Sequence, residues 1–447
     1  MQLTPKEGYA LMNLLVAEAT GVNPTISVVD TSTFISAGET VMATGKENVL
    51  NSLSIVIGRT MVMSESYESK FRIINEESEE LYEQRVRALI PYDDKALPEG
   101  SWNTDLYTNL AEGYDNGSNS GSSVASMWEQ HRKTFLELNF CGIVVYSYGL
   151  TIDEDALKVA FTSINDFTAF VSAMMTEADN DLEQEKESFR RAVFLNRLAQ
   201  AINDEATYGT AVNLTAAYNT KYGTQYTSEQ LRTTYLKSFL EFMVSYIKNL
   251  SNMLTYRSKK FHNPYTKTVG TAPNTVEYNV LTQTKKSQQK MVLYRPLIID
   301  AEAMVMPEIF NDNYLRIENY EGIDWFQNIE AGAAIKVKPT AISNGQQTAG
   351  ATVDCPYVVG AIWDDRALRC GTFLDSSETT PLEARKKYRN IWWHIAKKSY
   401  NNDAFPFITL YMADPAPEPT PDPDPDPDDK TAPNADVNTR TVKKSSK

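Results

Sequence analysis

The chain has 447 residues, more than the roughly 250–300 at which one hydrophobic core stops growing, so we expect at least two lobes. Its net charge of -15, from 58 acidic and 43 basic side chains, argues against a general affinity for nucleic acid, because phosphate binding needs a cationic surface. Cys141, Cys355 and Cys370 lie far apart and form no CxxC pair, which argues against a zinc site or a disulfide framework.

The first 60 residues contain two segments in which apolar residues recur at helical spacing, one around Leu11 and one around Leu53. The N-terminus carries acidic residues where a signal peptide would need bases and an apolar run, so we expect synthesis in the cytoplasm. No apolar run approaches the ~20 residues that cross a bilayer, so no membrane segment is expected.

Residues 61–90 are strand-like and strongly charged, and they include Phe71-Arg72-Ile73-Ile74 and the run from Arg85 to Ile90. A loop rich in Gly, Asn and Ser follows and ends near Ser123. Two interpretations fit this loop. It is either a disordered surface loop or the tip of a β-arm that becomes ordered on a neighbouring subunit.

Strand-like runs at 135–148 and 156–161 precede a long helical pattern over about 165–204. Ser163 and Asp166 have the spacing of a helix cap, and the helix would be roughly 60 Å long at ~1.5 Å per residue. The acidic segment 177–188 in its middle is expected to be solvated or bent. The pattern fits one continuous helix or two shorter ones equally well.

A second helix is predicted over 227–252. The basic, Thr-rich segment 257–289 that follows is predicted to be an extended arm or a β-excursion. The remaining apolar runs predict strands, at 291–300, 334–337, 357–362, 367–373, 388–395 and 405–411. From residue 413 the composition changes to alternating Pro and Asp, which favours an extended, charged tail that cannot join a sheet.

No catalytic or cofactor-binding pattern stands out. The three histidines, His131, His262 and His394, have no partner at metal-ligand spacing, and no phosphate-binding loop or nucleophile motif occurs. We therefore expect no cofactor, no metal and no enzymatic activity. Basic pairs such as Lys259-Lys260 and the Arg385-Lys386-Lys387 run are expected to meet acidic faces of neighbouring copies, with nucleic acid as the alternative partner.

The order of these elements resembles the tailed-phage major capsid fold of the Hong Kong 97 type. The resemblance is carried by Asp155–Ser163 leading into Phe167, by Leu297–Glu302, and by Arg389–His394 before Ala404-Phe405. It spans about 150–412 and is closest to capsid proteins of small short-tailed phages with protein-primed DNA genomes.

This resemblance implies an α+β fold with an N-terminal arm, an extended β-loop, a long spine helix, and peripheral and axial domains. Residues from Met61 to about Gly121 would form the loop that laps a neighbour. The implied division is an N-terminal arm (1–60), the extended loop with adjoining strands (61–140), a peripheral domain (141–290) with a spine helix (about 165–204) and a second helix (227–252), an axial domain (291–380), closing strands of the peripheral domain (381–412), and a disordered tail (413–447).

The implied function is a virion shell subunit that assembles with itself into hexamers and pentamers. Scaffold and portal proteins would be further partners, and the shell would enclose double-stranded DNA without sequence-specific binding. The residues expected at subunit contacts are Phe71, Arg72, Arg85, Arg87, Lys259, Lys260, Arg385 and Lys386.

Two other functions remain open at this stage. One is a bacterial envelope or surface protein whose Pro-Asp segment spans a cell wall, which would need a signal peptide or an anchor. The other is a carbohydrate-active enzyme, which the six Trp, 24 Tyr and abundant acidic residues would suit. That enzyme would need two carboxylates facing each other in a cleft.

Overall fold

The structure is a computed structural model. It describes residues 9–10, 12–13, 16–17, 30–44, 71–74, 85–93, 134–141, 144–161, 163–271, 274–304, 320–343, 346–383 and 385–414. The helices are α1 (Thr31–Thr44), α2 (Glu154–Ala160), α3 (Ile164–Asn203), α4 (Glu205–Tyr208), α5 (Leu214–Tyr222), α6 (Ser228–Arg232), α7 (Leu236–Met253), a 3-10 turn (Lys286–Gln288) and α8 (Arg295–Met304).

The strands alternate with these helices. They are β1 (Arg85–Asp93), β2 (Phe135–Cys141), β3 (Val144–Asp153), β4 (Ala211–Asn213), β5 (Lys267–Thr271), β6 (Asn274–Val280), β7 (Gln289–Tyr294), β8 (Tyr320–Ile323), β9 (Ile335–Val337), β10 (Thr340–Ser343), β11 (Gln346–Ala349), β12 (Val353–Cys355), β13 (Tyr357–Asp364), β14 (Leu368–Thr379), β15 (Tyr388–Asn401) and β16 (Phe407–Met412). The combination of helices and sheets confirms the predicted α+β class.

One lobe is built on a three-stranded antiparallel sheet in the order β14-β15-β3. Alternate residues of β15, among them Ile391 and Trp393, are buried against the N-terminal half of α3. Phe167 of α3 stacks on Phe161 with ring centroids 5.3 Å apart. Helix α1 contributes Phe34 to the same core.

The other lobe is a five-stranded sheet in the order β4-β16-β13-β7-β8, with parallel pairs at both ends and antiparallel pairs in the middle. The period-two alternation of strands divides its side chains between two cores. Trp363 and Phe407 face the C-terminal half of α3, whereas Ile362 and Ile408 face α7. The sheet is therefore covered by helices on both faces.

Helix α3 is continuous over 40 residues and joins the two lobes. Ser163 caps it, since its hydroxyl accepts the backbone N–H of Asp166 as predicted. The acidic middle does not simply face solvent. Glu183 and Glu187 are buried there and pair with Arg190 at 3.4 Å and Arg191 at 2.8 Å.

The predicted strand 156–161 is helical, and the predicted strand 291–300 is a strand only as far as Tyr294. The apolar run Leu297-Ile298-Ile299 lies in α8, which tolerates Pro296 in its first turn because no intrahelical N–H bond is needed there. Residues 156–161 lie in and just after α2. Both runs are too short for periodicity alone to separate helix from strand.

Other predicted elements are divided differently. The helix expected over 227–252 is interrupted after α6, where the Tyr235 N–H donates to the carbonyl of Gln230. The strand expected over 135–148 is divided into β2 and β3, and Phe71–Ile74 is not a strand. The helical pattern near Leu53, the Gly/Asn/Ser stretch and the Pro/Asp tail lie outside the described residues.

Candidate subunit-contact surfaces

Strands β1 and β2 form an antiparallel ribbon with one buried and one open face. On the buried face, Ile90 packs with Val280 and Ala404. On the open face, Leu89 is 54% exposed and Phe135 is 58% exposed. Phe135 lies directly opposite the exposed Pro91 in the ladder. We call Leu89, Pro91 and Phe135 the ribbon patch.

The ribbon patch has no side-chain cover in the described part of the chain. The same open face also carries the exposed Glu137, directly opposite Leu89. An open sheet face that combines exposed apolar and polar side chains is a candidate surface for contact with another protein. The ribbon belongs to a four-stranded sheet in the order β2-β1-β6-β5, so β2 also presents a sheet edge.

Within the described residues, β3 is an outer strand of the three-stranded sheet, and no other described strand pairs with its second edge. From Val144 to Ile152 this strand contains no charged residue. Its first two residues, Val144 and Val145, are 70% and 52% exposed. An edge strand without charges leaves backbone N–H and C=O groups available to a strand from another molecule.

Phe71 does not belong to a contact surface, which corrects the prediction. Its side chain is fully buried, and its ring centroid lies 5.3 Å from that of Phe194 on α3. The Arg191 guanidinium lies over the same ring at 5.8 Å. Phe71 therefore anchors its own segment to this subunit's core.

The backbone beside Phe71 is held by two charged side chains. The Glu321 carboxylate accepts the N–H of Ile73 at 2.9 Å and that of Arg72 at 3.2 Å. The Lys290 ammonium donates to the carbonyl of Ile73 at 2.8 Å. Burial raises the pKa of Glu321, while the two backbone hydrogen bonds and the positive charge of Arg191 oppose that rise. The arrangement fixes the backbone of Arg72 and Ile73 against β7 and β8.

The other predicted contact residues lie on separate elements, and the structure does not gather them into one site. Arg72 is exposed beside the Ile73 anchor, and Arg85 and Arg87 pair through their backbones in β1. The remaining residues are exposed and lie in two places, the loop after α7 (Lys259, Lys260) and the turn before β15 (Arg385, Lys386).

The described histidines and cysteines occupy structural positions. His394 Nδ1 lies 2.8 Å from the Ser147 hydroxyl across β15 and β3. The fully buried His262 has one ring nitrogen near each of two backbone carbonyls. Burial raises the pKa of the Cys355 thiol to about 11 and that of Cys370 to about 12, which keeps both protonated and poorly nucleophilic near neutral pH.

The described ranges contain neither a candidate metal site nor a membrane-spanning helix. No group of three or more His, Cys, Asp or Glu side chains there could hold a metal ion. No helix in these ranges is both long enough and apolar enough to span a bilayer. His131 lies outside the described residues.

Sequence reasoning missed the ribbon patch and the β3 edge. The alternation in Phe135–Phe140 could have indicated a strand with two different faces. It could not show which face is covered, because the covering residues Val280 and Ala404 are far away in sequence.

Comparison with known proteins gives a family. The model of the Phi29-like phage major capsid protein family matches residues 110–411. No curated protein matches the chain. Among solved structures, the capsid of Staphylococcus phage Andhra is similar at 12% identity and a TM-score of 0.48, covering 79% of this chain and 86% of that one. The capsid of Cyanophage P-SCSP1u is similar at 10% identity and a TM-score of 0.36, covering 74% and 84%.

The family match confirms the predicted likeness to tailed-phage major capsid proteins, while the narrower likeness to small short-tailed phages stays a prediction. The matched segment covers more than half of the chain. The chain therefore belongs to the Phi29-like phage major capsid protein family and is a structural subunit that forms the shell of a phage head.

Proposed function

We propose that this subunit assembles as hexamers and pentamers through the ribbon patch and the open edge of β3, and that the resulting shell encloses double-stranded DNA without reading its sequence. The observation that carries the contact assignment is the ribbon patch, with Leu89 and Phe135 more than half exposed on an open sheet face. A shell protein must use one such surface in every copy.

Each contact between subunits can be weak, because many such contacts together stabilise the shell. Burying a Leu or Phe side chain contributes about 1.5–3 kcal/mol. A shell repeats each contact many times, so the assembly does not need one strong interface. A net charge of -15 supports a shell that does not hold the enclosed DNA tightly.

We propose a domain division that differs from the predicted one in several elements. Strand β14 moves to the peripheral domain, and β4, β16 and α7 move to the axial domain. The three-stranded sheet and the N-terminal half of α3 would form the peripheral domain, and the five-stranded sheet would form the axial domain. Helix α7 packs on the five-stranded sheet through residues such as Phe239 and Met243, next to Ile362 and Ile408. This packing supports placing it with the axial domain.

Family membership also supports the wider parts of the proposal. The protein would be non-enzymatic, synthesised in the cytoplasm of a bacterial host, and assembled together with scaffold and portal proteins. The exposed bases Arg72, Lys259, Lys260, Arg385 and Lys386, together with Arg85 and Arg87, stay proposed contacts with acidic faces of neighbouring copies.

Electron microscopy of the purified full chain tests the proposal, with capsid-like shells or hexamers as the expected particles. The test variant combines Leu89→Lys and Phe135→Lys, which place charges on the ribbon patch. Asn139→Lys is the matched control, because Asn139 is exposed in the same strand and on the same face but is polar. Circular dichroism verifies that all variants fold.

The double variant should remain folded and lose at least tenfold in assembled particles, while Asn139→Lys assembles like the wild type. Equal assembly of all three proteins would remove the ribbon patch from the interface. A wild-type chain that stays monomeric at every concentration and in the presence of its scaffold would contradict the proposal as a whole.

A further inference from the structure

Four tyrosine rings form a continuous series of contacts around α5, α6 and the start of α7. The ring centroids of Tyr235 and Tyr226 are 4.1 Å apart, and Tyr218 lies 6.4 Å from Tyr226 and 4.7 Å from Tyr222. Tyr218 is buried, whereas the two ends of the series are open: Tyr222 is 51% exposed and Tyr235 is 37% exposed. We call these four residues the tyrosine surface.

The tyrosine surface is held rigidly from below. The Asn219 side chain of α5 donates to the Tyr226 carbonyl at 2.9 Å and accepts the Tyr226 N–H at 3.0 Å. The ring of Tyr218 meets that of the buried Phe242 of α7 edge-on at 5.3 Å. Because the rings are already fixed in place, a ligand that packs on them loses little free energy to their ordering.

The C-terminal tail leaves the folded body beside the tyrosine surface. The Asn213 side chain donates to the Ala413 carbonyl at 3.1 Å, and the Asp414 carboxylate accepts the Ser228 N–H at 2.7 Å. Ser228 follows Tyr226 by two residues, so their Cα atoms are at most ~7 Å apart. The structure describes the chain as far as Asp414, so residues 415 onward begin next to these rings.

The sequence of the tail suits an aromatic surface. Proline occupies every second position from Pro415 to Pro427, which favours a polyproline helix of ~3.1 Å per residue. Aromatic-lined surfaces bind this conformation well, because the helix is preformed and loses little entropy on binding. Residues 415–421 would span ~19 Å, which is long enough to pass from Tyr226 across either exposed end of the tyrosine surface.

The charges around the tyrosine surface also suit this segment. Residues 214–240 contain three Lys or Arg and one acid, in a chain whose net charge is -15. Lys221 lies 5.4 Å from the centre of the Tyr222 ring, and the exposed Lys237 follows Tyr235 by two residues. The tail brings Glu418 and then a series of aspartates, so its acids meet a locally positive surface.

We propose that residues 415–421 dock as a polyproline helix on the tyrosine surface of their own subunit. A segment tethered this closely is present at an effective concentration near ~1 mM, whereas the tail of another copy competes only at its bulk concentration. The docked segment covers Tyr222 and Tyr235 and fixes the point from which the acidic residues 422–429 leave the subunit. The tyrosine surface shares no residue with the ribbon patch or β3, so the proposal does not depend on the assembly contacts.

Nitration of tyrosines by tetranitromethane tests the cover, because a docked segment slows the reaction of the rings beneath it. The full-length test variant combines Pro417→Ser, Pro419→Ser and Pro421→Ser. The matched control, which leaves 415–421 intact, combines Pro423→Ser, Pro425→Ser and Pro427→Ser. Mass spectrometry should find that Tyr222 and Tyr235 react roughly fivefold faster in the test variant and at the wild-type rate in the control. The exposed Tyr256 should react equally in all three proteins. Unchanged rates in both variants, or equal increases in both, would overturn the proposal.

Photocrosslinking identifies the surface that the segment contacts. A benzophenone amino acid at Thr420 of the full chain should react mainly with residues 214–246, whereas the same group at Thr431, beyond the prolines, should not. Mixing unlabelled and heavy-isotope-labelled chains before irradiation separates crosslinks within a subunit from crosslinks between subunits. Crosslinks that mainly join two different chains would assign the tyrosine surface to the tail of a neighbour and contradict the proposal. Crosslinks from Thr420 spread evenly over the whole subunit would contradict it as well.

Discussion

Glu321 and Lys290 hold opposite sides of one residue, Ile73. The carboxylate accepts its N–H at 2.9 Å, and the ammonium donates to its carbonyl at 2.8 Å. Strands β8 and β7 thus fix a short segment that precedes the ribbon. We call residues 71–74 the anchor segment. Its backbone is held by these two charged side chains, and its Phe71 and Ile74 side chains are fully buried in the apolar core.

The anchor predicts a pH dependence of stability. Burial raises the pKa of Glu321 in the folded state above the ordinary value of 4.5, so the protonated form is favoured by folding. Its contribution to the free energy of unfolding is complete below the unfolded pKa and declines as the pH rises through the folded pKa. The stability of wild type relative to Glu321→Gln should therefore fall as the pH rises above 4.5. Urea denaturation measures it, with Glu330→Gln in the exposed 328–331 turn as the control.

The charged middle of α3 predicts a large cost for removing one partner. Arg191 pairs with Glu187 at 2.8 Å, stacks over Trp325 at 3.7 Å and donates to the Trp325 carbonyl at 2.6 Å. Arg191→Met removes this ion pair from the buried Glu187 together with the contacts to Trp325, and should lower the free energy of unfolding by about 3–5 kcal/mol. Combining it with Glu187→Gln should recover the part of the loss that comes from the buried charge of Glu187, but not the part that comes from Trp325. If the double variant were no more stable than the single one, the pairing would not be the cause.

Strand β13 approaches β7 so closely that only glycine fits at one position. A Cβ on Gly360 would lie 2.1 Å from the Val292 carbonyl oxygen, so Gly360→Ala must separate two central strands. We expect a loss of about 3 kcal/mol, measured by urea denaturation. Gly209 is the control because it has left-handed φ with open space around it, and Gly209→Ala should cost about 1–2 kcal/mol. Equal losses would contradict the steric explanation.

The buried thiols predict slow chemical modification. Cys355 and Cys370 are protonated near neutral pH and shielded from solvent, so neither should react with a thiol reagent at pH 8 within minutes. Both should react at once in 6 M guanidinium chloride. The measurement uses Cys141→Ser, which removes the third thiol. Rapid labelling of the folded variant would show that one of the two sites opens readily.

Local signals in the sequence predicted helical structure and the Ser163 cap for α3, but they did not decide between one helix and two, because the acidic middle interrupts the apolar stripe. They failed at α8 and α2, where short apolar runs fit both helix and strand. The interruption before α7 depends on Tyr235 stacking on Tyr226, and the burial of Phe71 depends on Phe194, more than 100 residues away. Contacts between residues that are far apart in the chain produce no periodic pattern in the sequence. The contact surfaces were missed for the same reason, since exposure is decided by which distant residues cover a face.

The continuity of α3 through its charged stretch restricts which insertions the protein can tolerate there. Leu182 packs with one core and Phe189 with the other, on the same uninterrupted helix. A single codon inserted between them would turn every following residue by about 100° around the helix axis and point the second apolar stripe away from its sheet. Seven codons, close to two whole turns, would restore the facing and push the lobes about 10 Å apart. Viable length variants should therefore be absent from this stretch and confined to loops.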